Sequence, residues 1–259
     1  MIHIFFRTTS NKRDNKNRPD WFSYERCWKN LLGTCMDNPI TVIHDGEIEF
    51  EWFKEMPPAN VDIVQIDSNK AIEPLIKEWE EKGETYVDQD AFGNSIEKRL
   101  EKPDREKAAG SLMYEIIFEK IKDVENKNEL LYMIEDDYIH LEGWPAIFED
   151  VFYHYKDLTY ATLYDHPDKY TERYKGLQTP LIMSSYSHWR FVPSSCGTFG
   201  GRISAFLNDK EIHMNDLGDH NKFLKLAQRN RSIISPVPGF ATHCINNFLA
   251  PYRDWSRIQ

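Results

Sequence analysis

Short apolar runs alternate along the chain with stretches of helical periodicity. A run of this kind predicts a strand that is covered on both faces of a sheet, where polar and apolar positions need not alternate. The strand candidates are IHIFF (2–6), ITVIH (40–44), VDIVQID (61–67), LLYMI (130–134), LTYATLY (158–164) and SIISPV (232–237). Alternation of such strands with helices is typical of a mainly parallel sheet flanked by helices. We therefore predict an α/β fold.

The segments between these strands predict helices. Apolar side chains recur at helical spacing in WFSYERCWKNLL (21–32) and again in AAGSLMYEIIFEKI (108–121). Dense mixed charge in 77–107 breaks the alternation and predicts a solvated helix, followed by an excursion over the sheet edge. No internal repeat and no linker rich in Pro, Gly or Ser divides the sequence, so we predict a single domain over 1–259.

Composition and charge narrow the function classes. Aromatic residues make up 14% of the 259 residues and charged residues 29%, a mixture that suits a soluble protein with a buried core. The net charge of −10 disfavours a broad nucleic-acid footprint. Basic residues cluster in NKRDNKNR (11–18), a run that is more often a solvated loop than a binding site. The four cysteines contain no C-x-x-C pair, which argues against structural zinc or a disulfide framework.

The length of the apolar runs indicates whether the protein is secreted or crosses a membrane. The apolar run at the start of the sequence is too short for a signal peptide. No later segment approaches the roughly 18 apolar residues that a membrane helix needs. We therefore expect no membrane span and a cytoplasmic protein.

Three consecutive acids follow the buried-looking strand in LLYMIEDDYIHLEGW (130–144). Ligands of open α/β sheets bind beyond the carboxyl ends of the strands, where these acids would lie. The two-residue period of a strand puts Glu135 and Asp137 on the same side. Carboxylates are hard ligands that suit Mn²⁺ or Mg²⁺, whose shell is completed by water and substrate phosphates. The alternative is an ordinary acidic surface turn, since short acidic triplets are common.

With this motif the sequence resembles the GT-A fold glycosyltransferases, and the resemblance extends over most of the chain. It implies a Rossmann-related sheet and a strand-end D-x-D motif that holds a metal against a nucleotide-sugar diphosphate. In VIHDG (42–46) it places Asp45 on the nucleotide base. In E-D-D it makes Asp137 the direct metal ligand and puts Glu135 nearer the ribose or a metal-bound water, with Asp136 also on the nucleotide side. In GFATHC (239–244) the resemblance implies that His243 is a further ligand of the metal.

Two features depart from the pattern of that family. The motif is E-D-D in place of D-x-D, so the division of roles among its acids stays open. The HDG sequence also lacks the second Asp that is usual in the large inverting family. For His243 a hydrogen-bonded loop histidine is an equal alternative to a metal ligand.

Transfer with inversion needs a general base for the acceptor hydroxyl. The segment HMNDLGDHNKF (213–223) offers Asp219, which we prefer, and Asp216. The resemblance favours a base at the start of such a helix, although either residue could instead be an N-cap. Inversion itself rests only on this candidate.

Further candidates concern the acceptor and the phosphates. Asp165 and His166 in LYDHPDKY (163–170) could bind acceptor hydroxyls, and Trp189 could stack on a sugar face. For Asp165 a Pro-stabilised turn is an equal alternative. Arg7, at the end of the first strand, could reach the nucleotide, and Lys107 the diphosphate. A nucleophilic Cys196 is disfavoured, because spacing identifies no partner His.

The sequence therefore predicts a GT-A-like, metal-dependent glycosyltransferase. Its nucleotide-binding half covers about 1–140 and its acceptor-binding half about 141–259. The donor is a nucleotide sugar, expected as a UDP-sugar. The acceptor is a hydroxyl compound whose class stays open: a saccharide, a modified nucleic-acid base, a lipid-linked sugar and a protein all present hydroxyl groups. Two alternatives stay open: a nucleotidyltransferase that acts on sugar phosphates, and a non-catalytic nucleotide- or sugar-binding module. The first would normally carry a Gly-rich basic signature near the start, and RTTSNKRDNKNR contains no Gly.

Overall fold

The computed structural model describes residues 1–10, 17–35, 37–49, 59–83, 85–89, 95–99, 102–215 and 218–258. Within these residues one sheet of nine strands has the order β3-β2-β1-β6-β11-β8-β12-β10-β9. The strands are β1 (Ile2–Thr9), β2 (Ile40–Asp45), β3 (Val61–Ile66), β4 (Thr85–Gln89), β5 (Ser95–Arg99), β6 (Leu130–Glu135), β7 (Tyr138–His140), β8 (Tyr160–Ala161), β9 (Leu181–Met183), β10 (His188–Val192), β11 (Gly200–Arg202), β12 (Ile233–Val237) and β13 (Ala241–His243).

Strand direction makes this sheet mainly parallel. Strands β3, β2, β1 and β6 are parallel neighbours, and β8 pairs in parallel with β12. Only β11 and β10 run against the other seven strands of the sheet, as their antiparallel pairings show. Two ribbons lie outside it, β4 with β5 and β7 with β13. The predicted fold class, an α/β fold with a mainly parallel central sheet, is confirmed.

Helices cover both faces of the sheet. They are α1 (Tyr24–Cys35), α2 (Ser68–Lys82), α3 (Arg105–Ile121), α4 (Trp144–His154), α5 (Ile203–Asn208), α6 (Lys210–Met214) and α7 (Gly218–Gln228). Alternate residues of β1 face opposite sides, as the strand period requires. Ile4 and Phe6 pack in one core cluster with α1 and α4, and Phe5 packs in a second cluster with α3, α5, α6 and α7. Strands from both halves of the chain thus share one pair of cores.

The predicted elements are largely confirmed. Five of the six strand candidates coincide with strands of the sheet, within one residue at each end except that β1 extends three residues beyond the predicted 2–6. In the sixth, 158–164, only Tyr160 and Ala161 form a regular strand, although Thr162 continues the pairing by donating its N–H to Ile234 O at 2.9 Å. The charged segment 77–107 contains the end of α2 and then the β4–β5 ribbon, as predicted for a helix and an excursion. The functional division near residue 140 stays a prediction.

None of the helices in the described ranges has the length and apolar character needed to cross a membrane. The expectation of a cytoplasmic protein stays a prediction.

Close packing between strands generates a stability prediction at Gly200 in β11. A Cβ there would overlap the carbonyl oxygen of Leu131 and would lie 2.8 Å from a ring carbon of Tyr132. We expect Gly200→Ala to lower the free energy of unfolding by about 1–3 kcal/mol, because the central strands must separate to admit the methyl group. Chemical denaturation monitored by circular dichroism measures this.

Gly33 is the matched control. It lies in α1, and a Cβ there would meet no atom within 4 Å. Gly33→Ala should stabilise the protein by about 0.5–1 kcal/mol, because Ala is the better helix former. Equal effects of the two substitutions would contradict the packing argument for β11.

Candidate functional site

A cleft lies at the carboxyl ends of β1, β2 and β6. The parallel register sets Arg7 beside Glu135 and Thr9 beside Asp45, which brings acids and bases from distant segments together. The cavity there has a volume of about 520 Å³. Its predicted lining residues are Arg7, Asp45, Glu135, Asp136, Asp137, Asp219 and His243, accompanied by residues not predicted, which include Tyr24, Arg105 and Glu106. We call this the main cavity.

A second cavity of about 270 Å³ adjoins the first. The two have Arg7, Glu106, Glu135 and Asp219 in common. The second cavity is also bordered by Lys107. Lys107, predicted near a diphosphate, thus borders the cavity that adjoins the main cavity and not the main cavity itself. Arg7 lies on the boundary, with its Nη1 3.9 Å from Glu135 Oε1.

The β7–β13 ribbon joins the acidic motif to the late histidine. In its register His243 pairs with Tyr138, and Cys244 donates its N–H to Asp137 O at 2.8 Å. As a result His243 Nε2 lies 3.0 Å from Asp137 Oδ2, although 106 residues separate them in sequence. The resemblance described above implied that His243 lies near the acidic motif, and the ribbon provides the structural cause of this contact.

Arg18 is a member of this group that the sequence analysis missed. Its Nη2 donates to Asp137 Oδ2 at 2.8 Å and its Nη1 to Cys244 O at 2.9 Å. The guanidinium also lies 4.4 Å from the ring centroid of Phe22, a favourable cation–π position. Arg18 belongs to the basic run interpreted as a solvated loop, of which residues 11–16 lie outside the described residues. No local signal distinguishes it from its basic neighbours, because its partners are remote in sequence.

Glu135 is positioned from β6 and from the loop that precedes β11. Its N–H donates to Thr198 Oγ1 at 3.3 Å. A Cβ on Gly197 would lie 3.1 Å from the Glu135 carboxyl carbon, so a larger residue would crowd that carboxylate. The CGT sequence at 196–198 therefore allows this loop to lie directly against the acidic motif. Asp136 follows in the turn between β6 and β7 and borders the main cavity.

Asp45 ends β2 and supports the start of α2. Its Oδ1 accepts from Ser68 N at 2.8 Å and its Oδ2 from Ser68 Oγ at 2.7 Å. Arg105 Nη2 lies 3.6 Å from the same Oδ2. Asp45 thus borders the cavity where a nucleotide-binding Asp was predicted, while both of its carboxylate oxygens already bind within the protein. Its contact with a nucleotide base stays a prediction.

Asp219 lies in the first turn of α7, where the helix dipole stabilises a carboxylate. Its side chain is 45% exposed and borders both cavities. Lys222, one turn later, places its Nζ 3.9 Å from Asp219 Oδ1 and donates to Tyr114 Oη at 3.0 Å. The other candidate base, Asp216, lies outside the described residues.

Two of the residues predicted to bind the acceptor, Trp189 and Asp165, are buried and have no exposed surface for it. Trp189 is fully buried in β10, and its Nε1 donates to Ser184 Oγ, so no face of the indole is available for a sugar. Asp165 is also fully buried, and Arg190 and Tyr170 both donate to its carboxylate, at 2.5 and 2.6 Å.

His166, unlike Trp189 and Asp165, is not fully buried. Its Nδ1 accepts from Asp168 N at 3.1 Å at the start of a short 3₁₀ helix, Pro167–Tyr170. The imidazole keeps a partly exposed edge. A role of His166 in acceptor binding stays a prediction.

At one place the site carries ligand atoms of the kinds that bind a divalent cation. Asp137 and His243 present a carboxylate and an imidazole within 3.0 Å of each other beside the cavity. Among the described residues, no group of three His, Cys, Asp or Glu side chains is arranged to hold a metal. Mg²⁺ and similar ions are commonly held by one or two carboxylates together with substrate phosphates, so a two-donor arrangement fits an ion that binds together with a diphosphate.

No protein-family model matches the chain, and no curated protein matches it. Solved structures do match. Mouse xyloside xylosyltransferase 1 is 10% identical over 88% of this chain and 75% of its own, with a TM-score of 0.42. Galactosyltransferase LgtC, in complex with donor and acceptor sugar analogues, is 10% identical over 86% and 69%, with a TM-score of 0.38. The 4-diphosphocytidyl-2C-methyl-D-erythritol synthase of Anaerococcus prevotii DSM 20548 is 8% identical over 98% and 94%, with a TM-score of 0.41.

Cys196 borders the main cavity and generates a prediction about reactivity. Burial, together with the negative charges of Asp219 and Glu135, raises the pKa of the Cys196 thiol to about 12. Below that pH the group is a neutral thiol, and only the thiolate is a nucleophile. We therefore expect negligible alkylation of native Cys196 by iodoacetamide at pH 8, measured by peptide mass spectrometry. Unfolded protein is the control and should be labelled readily, whereas fast labelling of the native thiol would contradict this assignment.

Proposed function

We propose that the protein is a metal-dependent glycosyltransferase that moves a sugar from a nucleotide-sugar donor, expected as a UDP-sugar, to a hydroxyl acceptor. The observation that carries the proposal is the convergence of four separate segments on one cleft. Asp45, the 135–137 acids, Asp219 and His243 all border the main cavity, although they span almost 200 residues of sequence. The cleft lies beyond the carboxyl ends of parallel strands, where α/β folds bind nucleotides.

In the proposed donor complex Asp137 and His243 hold Mn²⁺ or Mg²⁺. When bound, such an ion offsets the negative charge of a diphosphate leaving group. Arg7 lies on the boundary between the two cavities and can donate hydrogen bonds to the same phosphates. Lys107, on the far side of that boundary, adds a second cation within the second cavity.

Asp219 is the proposed general base. It takes the proton of the acceptor hydroxyl while that oxygen forms a bond to the anomeric carbon of the sugar. The bond from the anomeric carbon to the phosphate oxygen breaks, and the nucleoside diphosphate leaves with the electron pair. Because Asp219 borders the main cavity, its carboxylate is within reach of an acceptor that enters the cleft beside a donor bound there. Direct attack of this kind inverts the anomeric configuration.

The test of the function is a screen of nucleotide sugars in the presence of Mn²⁺. A donor that binds the native state raises the melting temperature by mass action. Mass spectrometry of the same mixtures detects slow hydrolysis of the bound donor, with release of free sugar and nucleoside diphosphate. Release of pyrophosphate from a nucleoside triphosphate and a sugar phosphate would instead identify a nucleotidyltransferase. Stabilisation by a donor without any turnover would identify a binding module.

The first prediction for this site concerns the metal. Asp137→Asn should weaken Mn²⁺-dependent binding of UDP by about 10–100-fold or more, because an amide supplies no charge to offset the cation. Isothermal titration calorimetry with and without Mn²⁺ measures the change.

Arg18→Lys is the matched control for this substitution. It perturbs the hydrogen bond to Asp137 Oδ2 but leaves the carboxylate charge in place. If Arg18→Lys lowers the affinity as much as Asp137→Asn does, the effect is structural and the metal assignment is wrong. Unchanged Mn²⁺-dependent affinity in the Asp137 variant would also reject it.

The second prediction concerns the base. Asp219→Asn should lower kcat by roughly 10²–10⁴-fold and leave donor affinity nearly unchanged, because proton abstraction acts in the transition state. Steady-state rates of sugar transfer, combined with donor titration, separate the two quantities.

Asp216→Asn is the control, because Asp216 is the other acid of the same segment. A helix-capping role would survive either substitution, since Asn caps about as well as Asp. Loss of turnover in Asp216→Asn alone would exchange the two roles. Normal transfer in both variants would remove the general base from this segment.

A further inference from the structure

Three exposed aromatic side chains lie on segments next to the cleft, and two of them are in contact. Tyr252 is 74% exposed, Tyr170 42% and Phe248 39%. The rings of Tyr170 and Tyr252 meet edge to face, with their centroids 5.5 Å apart. Exposed large rings that lie in contact mark interaction surfaces more often than singly scattered ones. We call Tyr170, Phe248 and Tyr252 the aromatic rim.

The rim is continuous with the candidate active site through Phe248. The Phe248 ring stacks on His243, with centroids 5.7 Å apart and planes inclined by 19°. It also meets His166, at 5.4 Å. His243 borders the main cavity and lies 3.0 Å from Asp137. The rim therefore begins at the edge of the cleft.

Buried ionic contacts hold the Tyr170 ring in place. Tyr170 Oη donates to Asp165 Oδ2 at 2.6 Å, and Arg190 Nη2 donates to Asp165 Oδ1 at 2.5 Å. The Arg190 guanidinium also lies 4.8 Å from the centroid of the Tyr170 ring. Asp165 was predicted to touch an acceptor directly, and it instead orients an exposed aromatic ring. A ring fixed in this way loses little freedom when a ligand stacks on it.

Tyr252 reaches its position through an unusual backbone. Its φ is 69°, in the left-handed region that non-glycine residues rarely adopt. An exposed tyrosine in that conformation gains little from burial that could offset the strain. Strained residues of this kind cluster at ligand-binding sites. The backbone thus directs a large ring into solvent beside Tyr170.

The charges around the rim favour a neutral ligand. Four cations of its flanking segments lie beside acids of the protein: Lys169 beside Asp168 at 2.6 Å, Lys175 beside Glu172 at 3.0 Å, Arg190 beside Asp165 at 2.5 Å and Arg257 beside Asp254 at 2.8 Å. Two further cations lie over aromatic rings, Arg173 over Tyr174 and Arg253 over Phe240. A nucleic-acid partner would be met by cations free to neutralise phosphates. A saccharide presents apolar C–H faces to aromatic rings and hydroxyl groups to their polar surroundings, and it carries no charge that must be neutralised.

We infer that the aromatic rim binds a neutral saccharide, which is the acceptor of the transfer reaction. The identification of this saccharide as the acceptor rests on the proposed function. Saccharide binding to the rim can be measured without any donor. Phe248 contacts His243 of the main cavity, and Tyr170 and Tyr252 do not border either cavity. This arrangement suits an oligosaccharide that binds with its terminal residue at the cleft and its next residues on the rim.

The experiment titrates the full chain with a panel of neutral tetrasaccharides, namely cello-, xylo-, manno- and maltotetraose, and follows binding by saturation-transfer NMR and calorimetry. Tyr252→Asn removes the ring, while Asn tolerates the left-handed backbone. We expect it to weaken binding by about threefold to tenfold, the range of a single aromatic contact. Tyr252→Phe should retain wild-type affinity. Tyr153, which is 70% exposed and lies outside the rim, supplies the control Tyr153→Asn, with no expected change.

The outcomes separate this inference from the proposed function. UDP affinity in the presence of Mn²⁺ should be equal in wild type and in Tyr252→Asn, since Tyr252 does not border either cavity. Saccharide binding that depends on Tyr252 supports the rim even if no sugar transfer is found. Failure of the whole panel to bind, equal binding by wild type and Tyr252→Asn, or tighter Tyr252-dependent binding of a single-stranded oligo(dT) overturns the inference, even if the protein transfers sugar.

Discussion

The antiparallel pairing of β7 with β13 is the contact on which the candidate site depends. This pairing brings the late segment that contains His243 alongside the residues that follow the acidic motif, and the Cys244 N–H donates to the carbonyl oxygen of Asp137. This backbone bond fixes where Asp137 and His243 lie relative to each other before any side-chain interaction is considered. A parallel sheet alone would gather residues at strand ends without specifying such a pair. The ribbon determines which two residues meet, and Asp137 and His243 both border the main cavity.

Charge balance explains how so many acids share one cleft. Each of four acids has a cation nearby: Arg7 near Glu135 at 3.9 Å, Arg105 near Asp45 at 3.6 Å, Lys222 near Asp219 at 3.9 Å and Arg18 on Asp137 at 2.8 Å. Only the last distance is that of a good hydrogen bond. The three longer pairs border the cavities. The Arg18 pair is short and backed by an aromatic ring, so it belongs to the framework that positions Asp137.

The sequence predicted the elements well because burial by strands and helices has a local pattern. The runs at 2–6 and 130–134 are apolar since both faces of those strands are covered, and such runs can be recognised without a partner. The family resemblance, and not a local pattern, placed Asp45, the 135–137 acids and His243 at one site. Trp189 was expected to stack on a sugar, but it is a buried residue of β10, a strand of the sheet that the sequence analysis did not identify. Arg18 and Asp165 depend on partners 119 and 25 residues away, which no local pattern reveals.

His243 connects the two parts of the site, and its surroundings show how it can serve both. Its ring is stacked between Tyr138, with centroids 4.7 Å apart and planes inclined by 15°, and Phe248 on the rim. Within the described residues its Nδ1 is buried without a hydrogen-bond partner, so the hydrogen bonding of the imidazole takes place at Nε2, toward Asp137. Two aromatic neighbours therefore fix the plane of the ring, and the contact with Asp137 is not needed to hold it. Nε2 can exchange Asp137 for another partner while the ring stays in place, which preserves the surface that Phe248 presents beside the cleft.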